Sequence, residues 1–230
     1  MTGTLALLRH GASEWSEEGR FTGTVDVPLS SRGREQAAHA GRLLRAAGLV
    51  PDVVVTSTLR RAEETAAAAL AVIGGTAPEL VRDARLDERH YGALQGRIKR
   101  EVALEVGDEQ FARWRRSFDE RPPAAVGPAG RQGESLRDVL ERVMGCWSEE
   151  LLPRLLGGSV VLVASHSNVL RALIKHLDGL DDDQVTSVNV PNGIPLIYAG
   201  ARRRGYLEPD RARDAAAALA REGLHDAAQP

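Results

Sequence analysis

A single cysteine, Cys146, occurs among the 230 residues. An internal disulfide is therefore excluded. With no histidine near it in sequence, Cys146 does not read as a metal ligand, and its place in the amphipathic run 136–156 makes it a core thiol. An excess of charge of either sign is also lacking: 30 lysines and arginines stand against 32 aspartates and glutamates, for a formal net charge of −2. Without a chain-wide basic field a general nucleic-acid binder is excluded, and any anion site has to be built locally. No apolar run approaches the roughly 20 residues that cross a bilayer. Residues 1–8 lack the basic start and long apolar stretch of a signal peptide, so no membrane partner is expected and a cytoplasmic location is. A GxSxG serine elbow and a GxxxxGK nucleotide loop are both missing, which leaves those two enzyme classes without support. There is no internal repeat, and the alanine runs 66–69 and 215–218 reflect helix propensity.

What is present has the pattern of one α/β domain spanning 1–230. Residues 5–8, 53–55 and 160–164 are short, nearly continuous apolar runs, as strands buried on both faces require. Residues 194–198 supply a late strand flanked by prolines. Helical spacing follows at 31–47, at 59–73, closed by Gly74-Gly75, and at 168–177. The alternation predicts a doubly wound, mainly parallel sheet with helices on both faces. Between 87 and 134 it breaks into a stretch rich in charge, aromatics and then proline and glycine, expected to form a loop and helix lid over a site. The tail is alanine-rich and helix-prone over 210–220, and from about 207 it is expected to be mobile.

Two short stretches carry most of the chemistry. Arg9-His10-Gly11 follows the first strand and Ser165-His166-Ser167-Asn168 follows the one at 160–164. In open α/β sheets ligands collect outside the carboxyl ends of parallel strands, so the two histidines can meet in one crevice. A neutral imidazole beside a fixed guanidinium suits phosphoryl chemistry: arginine holds the dianion by forked hydrogen bonds while a ring nitrogen attacks phosphorus. Arg60-Arg61 sits where strand turns into helix, and one of the two is expected to reach the same edge. Glu88, among basic and aromatic neighbours, is suited to proton transfer beside a bound phosphate. Lys99, Arg100, Arg113, Arg115 and Arg116, interleaved with Phe111, Trp114 and Phe118, form either a second anion pocket or a solvated helix face.

These residues and their surroundings, Leu8-Arg9-His10-Gly11, Arg20-Phe21-Thr22-Gly23, the run from Glu88 to Gly96, Trp114-Arg115-Arg116 and His166-Ser167-Asn168-Val169-Leu170-Arg171, resemble the cofactor-dependent phosphoglycerate mutases of the histidine phosphatase superfamily. The resemblance runs to about Tyr206. It implies the histidine phosphatase fold and an isomerase of glycolysis and gluconeogenesis that interconverts 3- and 2-phosphoglycerate. The primer would be 2,3-bisphosphoglycerate, with no metal. By the same resemblance His10 is the phosphorylated histidine, Glu88 the proton donor and acceptor, and His166 the stabiliser of the transferring phosphoryl. Arg9 and Arg61 complete the phosphate pocket. Ser13, Ser16, Thr22, Gly23, Ser167 and Asn168 join in binding substrate. Arg89, Tyr91, Lys99, Arg115 and Arg116 grip its carboxylate and second phosphate. The chain departs from the family pattern at Ala12, Ser16 and Ser167, where Glu, Asn and Gly are usual, and in a shorter stretch 117–133. A shorter lid is expected to admit water. Two other functions are therefore carried forward: a histidine-type phosphomonoesterase acting on another small phosphorylated acid or sugar, and a catalytically silent binding or regulatory paralogue. A homo-oligomer, dimer or tetramer, is compatible with the resemblance.

Overall fold

The computed structural model describes residues 2–125 and 130–221. Four apolar runs form strands where the sequence predicts them: β1 (Thr4–Arg9), β2 (Val53–Thr56), β4 (Val160–Ser165) and β5 (Leu196–Ala199). Two more strands, β3 (Glu79–Arg82) and β6 (Arg202–Tyr206), went unseen in the sequence. They close the sheet at its two edges, in the order β3-β2-β4-β1-β5-β6. Edge strands pair on one side only and stay largely solvated, so neither carries a buried apolar run. The first four strands in that order are parallel, β5 pairs antiparallel with β1, and β6 antiparallel with β5.

Because side chains alternate along a strand, the central strands feed two separate cores. Leu5, Leu7, Val53, Val55, Val161 and Val163 pack against α6 (Leu136–Cys146) and α8 (Ser167–Asp178). Ala6, Leu8, Val54, Leu162 and Ala164 face α2 (Ser31–Ala46) and α3 (Arg60–Ile73) through Ala40, Leu44, Ala66, Ala69 and Ile73. The doubly wound arrangement is present, with helices on both faces. The run 136–156 is not one helix. After α6 it widens into a π-helical turn over Trp147–Leu151 before α7 (Leu152–Leu156). Pro153 lies at the start of α7 and has no N–H for a carbonyl four residues back, which breaks the α ladder there. Cys146 is fully buried, and burial pushes its thiol up to about 12.

The N-terminus of α6 is held by a reciprocal cap. Ser135 Oγ accepts from Asp138 N at 3.1 Å, and the Asp138 carboxylate accepts from Ser135 N at 2.7 Å. Arg121 braces that carboxylate and holds it at about 2. Ser135→Ala is expected to cost about 1 kcal/mol, seen as a fall in Tm of about 2–4 °C. An unchanged melt would mean that the Arg121 contact alone fixes this helix start.

Residues 87–134, expected as a lid, contain a 3-10 turn (Gly92–Leu94), α4 (Lys99–Val106) and α5 (Asp108–Arg116). Phe21, Leu94, Val102, Ala103 and Phe111 give this region a small core of its own. A short α1 (Glu14–Glu17) follows β1, and α9 (Asp182–Thr186) follows α8. The tail from 209 forms α10 (Pro209–Arg221). The remainder of the segment expected to be mobile, beyond 221, lies outside the described residues, as do 126–129 of the lid.

Candidate active site

Parallel pairing brings the carboxyl ends of β1, β2 and β4 to one edge of the sheet. Arg9 stands opposite Ser165 and Thr56 opposite Ala164, so the next residues of each strand emerge side by side. His10 N donates to Ser165 O at 2.9 Å, and the rings of His10 and His166 lie 5.0 Å apart between centroids, tilted by 58°. The two histidines meet as the strand ends predict.

The backbone around His10 is fixed from several directions. Asn192 Nδ2 donates to His10 O at 2.6 Å, Gly11 N to Thr65 Oγ1 at 3.1 Å and Ala12 N to Gln36 Oε1 at 2.8 Å. A Cβ on Gly11 would lie 2.1 Å from Gly33 O, so the turn sits against the first turn of α2 and only glycine fits. The ring is oriented too. Its Nδ1 is 2.6 Å from Gly11 O, and since a carbonyl only accepts, the proton is on Nδ1 and the Nε2 lone pair is left free. Burial, then Arg61, then Arg9 hold His10 well below the usual imidazole range, so the ring is neutral at neutral pH and can act as a nucleophile.

His166 is fully buried at the N-cap of α8. Its Nε2 is 2.7 Å from Ser57 Oγ, and its Nδ1 has no partner among the described residues. Burial, followed by Arg61, keeps this ring neutral as well. Of the pair Arg60-Arg61, Arg61 turns inward while Arg60 pairs with Glu64 at the surface at 3.1 Å. Arg61 donates to Gly23 O at 2.7 Å and Val25 O at 2.9 Å, which ties the loop carrying Thr22 and Gly23 to α3. Burial lowers its guanidinium to about 10, opposed chiefly by Glu88. Arg9 donates to Val190 O at 2.8 Å.

Glu88 is 7 % exposed. Its Oε1 accepts from Arg89 N at 2.8 Å, Asn168 Nδ2 at 3.2 Å and Asn168 N at 3.3 Å, while Oε2 takes no hydrogen bond among the described residues. One oxygen is thus anchored and the other is available. Arg171, which sequence reasoning did not place in the site, lines the cleft and orients Asn168 by donating to its Oδ1 at 3.0 Å. Asn168 Nδ2 also donates to Tyr91 Oη at 3.1 Å.

One cleft brings together most of the expected residues. Arg9, His10, Ser16, Thr22, Gly23, Arg61, Glu88, Tyr91, Ser167 and Asn168 line it, with Lys99, Arg115 and Arg116 supplied by α4 and α5. These last three form the second cationic group, whereas Arg100 and Arg113 lie outside. Three expected residues do not line the cleft: His166 is fully buried beside it, in ring contact with His10, and two expected substrate contacts are turned away. Ser13 is buried with its hydroxyl capping α1, accepting from Ser16 N at 3.3 Å. The Arg89 guanidinium is also buried: it donates to Trp114 O at 2.9 Å and Arg115 O at 3.1 Å, and lies 4.5 Å over the Tyr91 ring. It braces α5 from behind. Arg20, Asn189 and Leu219 were missed. Arg20 belongs to the Arg20-Phe21-Thr22-Gly23 motif, but Leu219 comes from the weakly apolar α10 and has no sequence signal; its carbonyl accepts from Arg116 at 3.3 Å. Among the described residues no group of three or more His, Cys, Asp or Glu could hold a metal ion, and no helix is long and apolar enough to cross a membrane.

A neutral imidazole, buried guanidinium groups and a half-anchored carboxylate are groups that can serve phosphoryl transfer. Comparisons with known proteins agree. The profile of the histidine phosphatase superfamily (branch 1) matches residues 5–201. The chain is 44% identical to a 2,3-bisphosphoglycerate-dependent phosphoglycerate mutase of Nocardioides sp. (strain ATCC BAA-499 / JS614), over 97% of this chain and 100% of that one. It is 46% identical to the protein of the same name from Thermobifida fusca, over 96% and 99%. Among solved structures, a mycobacterial glucosyl-3-phosphoglycerate phosphatase in complex with VO3 superposes with a TM-score of 0.69 at 27% identity, covering 85% of this chain and 92% of that one. Identity of this order, sustained over nearly the full length of both chains and joined to a shared fold, places the chain in the histidine phosphatase superfamily and, within it, in the family of 2,3-bisphosphoglycerate-dependent phosphoglycerate mutases.

Proposed function

We propose that this chain interconverts 3- and 2-phosphoglycerate through a phosphohistidine at His10, primed by 2,3-bisphosphoglycerate. The observation that carries the reading is a single cleft with His10, Arg61 and Glu88 in it and a second cationic group, Lys99, Arg115 and Arg116, along its wall. The site suits a ligand with two anionic ends. Arg61 Nε is a buried donor and His166 Nδ1 a buried ring nitrogen, both without partners among the described residues, and an unmet buried donor is a costly state that a phosphoryl oxygen relieves.

When bound, 2,3-bisphosphoglycerate supplies the phosphoryl that loads His10. His10 Nε2 forms the bond to phosphorus as the bond to the leaving oxygen breaks, and Glu88 gives that oxygen its proton. In the return direction Glu88 takes the proton from the attacking hydroxyl of a monophosphoglycerate while the N–P bond breaks. Arg9, Arg61 and His166 stabilise the charge on the transferring group, so this reading calls for no metal. Lys99, Arg115 and Arg116 retain the doubly phosphorylated species while it reverses in the cleft, the step that separates a mutase from a phosphatase.

A second reading, a phosphomonoesterase, is favoured by one feature. Ser16 lines the cleft where the family usually has asparagine, but its Oγ donates to Ser13 O at 2.8 Å and accepts from Ser13 N at 2.8 Å. That hydroxyl is committed to the cap of α1, so the phosphate end loses a direct donor. Labelled 2,3-bisphosphoglycerate followed by unlabelled 3-phosphoglycerate separates the readings. We expect an acid-labile phosphoenzyme whose label passes mainly to phosphoglycerates. Label leaving as inorganic phosphate alone would make the chain a phosphatase, and no labelling at all would make it a silent paralogue. A cytoplasmic setting belongs to the same reading.

A further inference from the structure

Ser57 stands directly behind the site, fully buried, at the turn between β2 and α3, and the mechanism above does not use it. Its hydroxyl makes two contacts. Oγ accepts from Leu59 N at 3.3 Å and lies 2.7 Å from His166 Nε2. A hydroxyl has one proton to give, and among the described residues the only acceptor within reach of Ser57 Oγ is that ring nitrogen. If His166 instead carried its proton on Nε2 and donated to Ser57, the serine proton would be buried without a partner. Nδ1 would then be a bare lone pair, buried as well. With the serine donating, every polar atom of the pair is satisfied except Nδ1–H, a donor with nothing to bind until an anion arrives.

We infer that Ser57 is a positioning residue which locks His166 in the Nδ1–H tautomer, so that a neutral imidazole presents an N–H to the phosphoryl group transferred at His10. The alternative tautomer would present a lone pair, which repels a phosphoryl oxygen. Because the ring is held neutral, the tautomer decides whether His166 helps or hinders. His10 is set by its own neighbour in the complementary way, with Nδ1–H bound to Gly11 O and Nε2 left bare. The same ring type is thus prepared as nucleophile in one place and as donor in the other, by a carbonyl and a hydroxyl respectively.

The role of His166 in this inference rests on the mutase reading, but its tautomer is read without substrate. The full chain is labelled with 15N-histidine, and long-range proton–nitrogen correlations are recorded near pH 7, with His166 identified by its loss in His166→Gln. We expect protonated Nδ1 and bare Nε2 at His166. In Ser57→Ala the Nε2–H form should appear. We also expect kcat for 3-phosphoglycerate to fall about tenfold, with KM held within about twofold. Ser57→Thr, which keeps the hydroxyl, should restore both the tautomer and kcat. A proton on Nε2 in the unmodified chain would overturn the inference whether or not Ser57→Ala folds. So would a Ser57→Ala protein with unchanged tautomer or unchanged kcat. Absence of mutase turnover in the unmodified chain, with His166 in the expected tautomer, would count instead against the function proposed above.

Discussion

His10→Ala is expected to remove phosphoenzyme formation entirely and to lower turnover by about 10⁴-fold or more, the scale on which losing a catalytic nucleophile is felt. Neither neighbouring group can replace it: the buried second imidazole has its Nε2 engaged with Ser57, and Glu88 has one oxygen tied down by three N–H donors. The fold should survive, because the ring's one hydrogen bond goes to the carbonyl of the next residue and the tertiary contacts of this turn are made by backbone atoms. The variant should also tolerate acid better. The folded-state pKa of His10 lies well below its unfolded value near 6.5, so the unfolded chain binds the extra proton first and stability drains away as pH falls below about 6.5. Deleting the ring removes that contribution. The checks are acid-labile label after exposure to 2,3-bisphosphoglycerate, and melts at two pH values. Label persisting on the variant would move the nucleophile elsewhere.

Glu88→Gln should slow phosphoryl transfer by about a hundredfold or more while leaving the binding of 2,3-bisphosphoglycerate largely intact. Glutamine offers a carbonyl oxygen where Oε1 stands, so the hydrogen bonds from Arg89 N and Asn168 are kept. An amide NH2 replaces the unanchored Oε2, and it neither releases a proton to a leaving oxygen nor takes one from a hydroxyl. The deficit should therefore fall on kcat. Single-turnover decay of the phosphoenzyme in the presence of 3-phosphoglycerate measures it directly. A rate equal to that of the unmodified chain would show that the proton travels through another group, and a large rise in the dissociation constant would show that Glu88 serves mainly to hold the cleft together.

The strands that build the site were legible because they are buried on both faces and leave continuous apolar runs, as at Val53–Thr56 and Val160–Ser165. Glu79–Arg82 was not, since an edge strand with three exposed residues of four looks like any polar loop. Strand ends predicted that His10 and His166 would meet, yet spacing could not choose between Arg60 and Arg61. Consecutive helical residues point about 100° apart, and only the packing of α3 against the Gly23 loop decides which one turns inward. Ser13 and Arg89 were read as substrate contacts because family likeness transfers residue types. It does not transfer the local bonds that had already engaged a hydroxyl in a cap and a guanidinium on α5 carbonyls. Arg171 and Leu219 enter the cleft through tertiary packing of α8 and α10, for which a local window of sequence holds no signal.

The parallel pairing of β1 with β4 also governs the order of events in folding. The pair joins Thr4 to Val160, so the loop it closes contains β2, β3 and the whole of the 87–134 region, and the entropy of closure must be met before the pair exists. No fragment shorter than that loop can hold a phosphate between His10 and His166. During synthesis β1 must therefore wait for β4, with its apolar face uncovered. An anion that binds the finished site binds the native state alone, and at a hundredfold excess over its dissociation constant it adds about 2.7 kcal/mol to the stability of the entire domain.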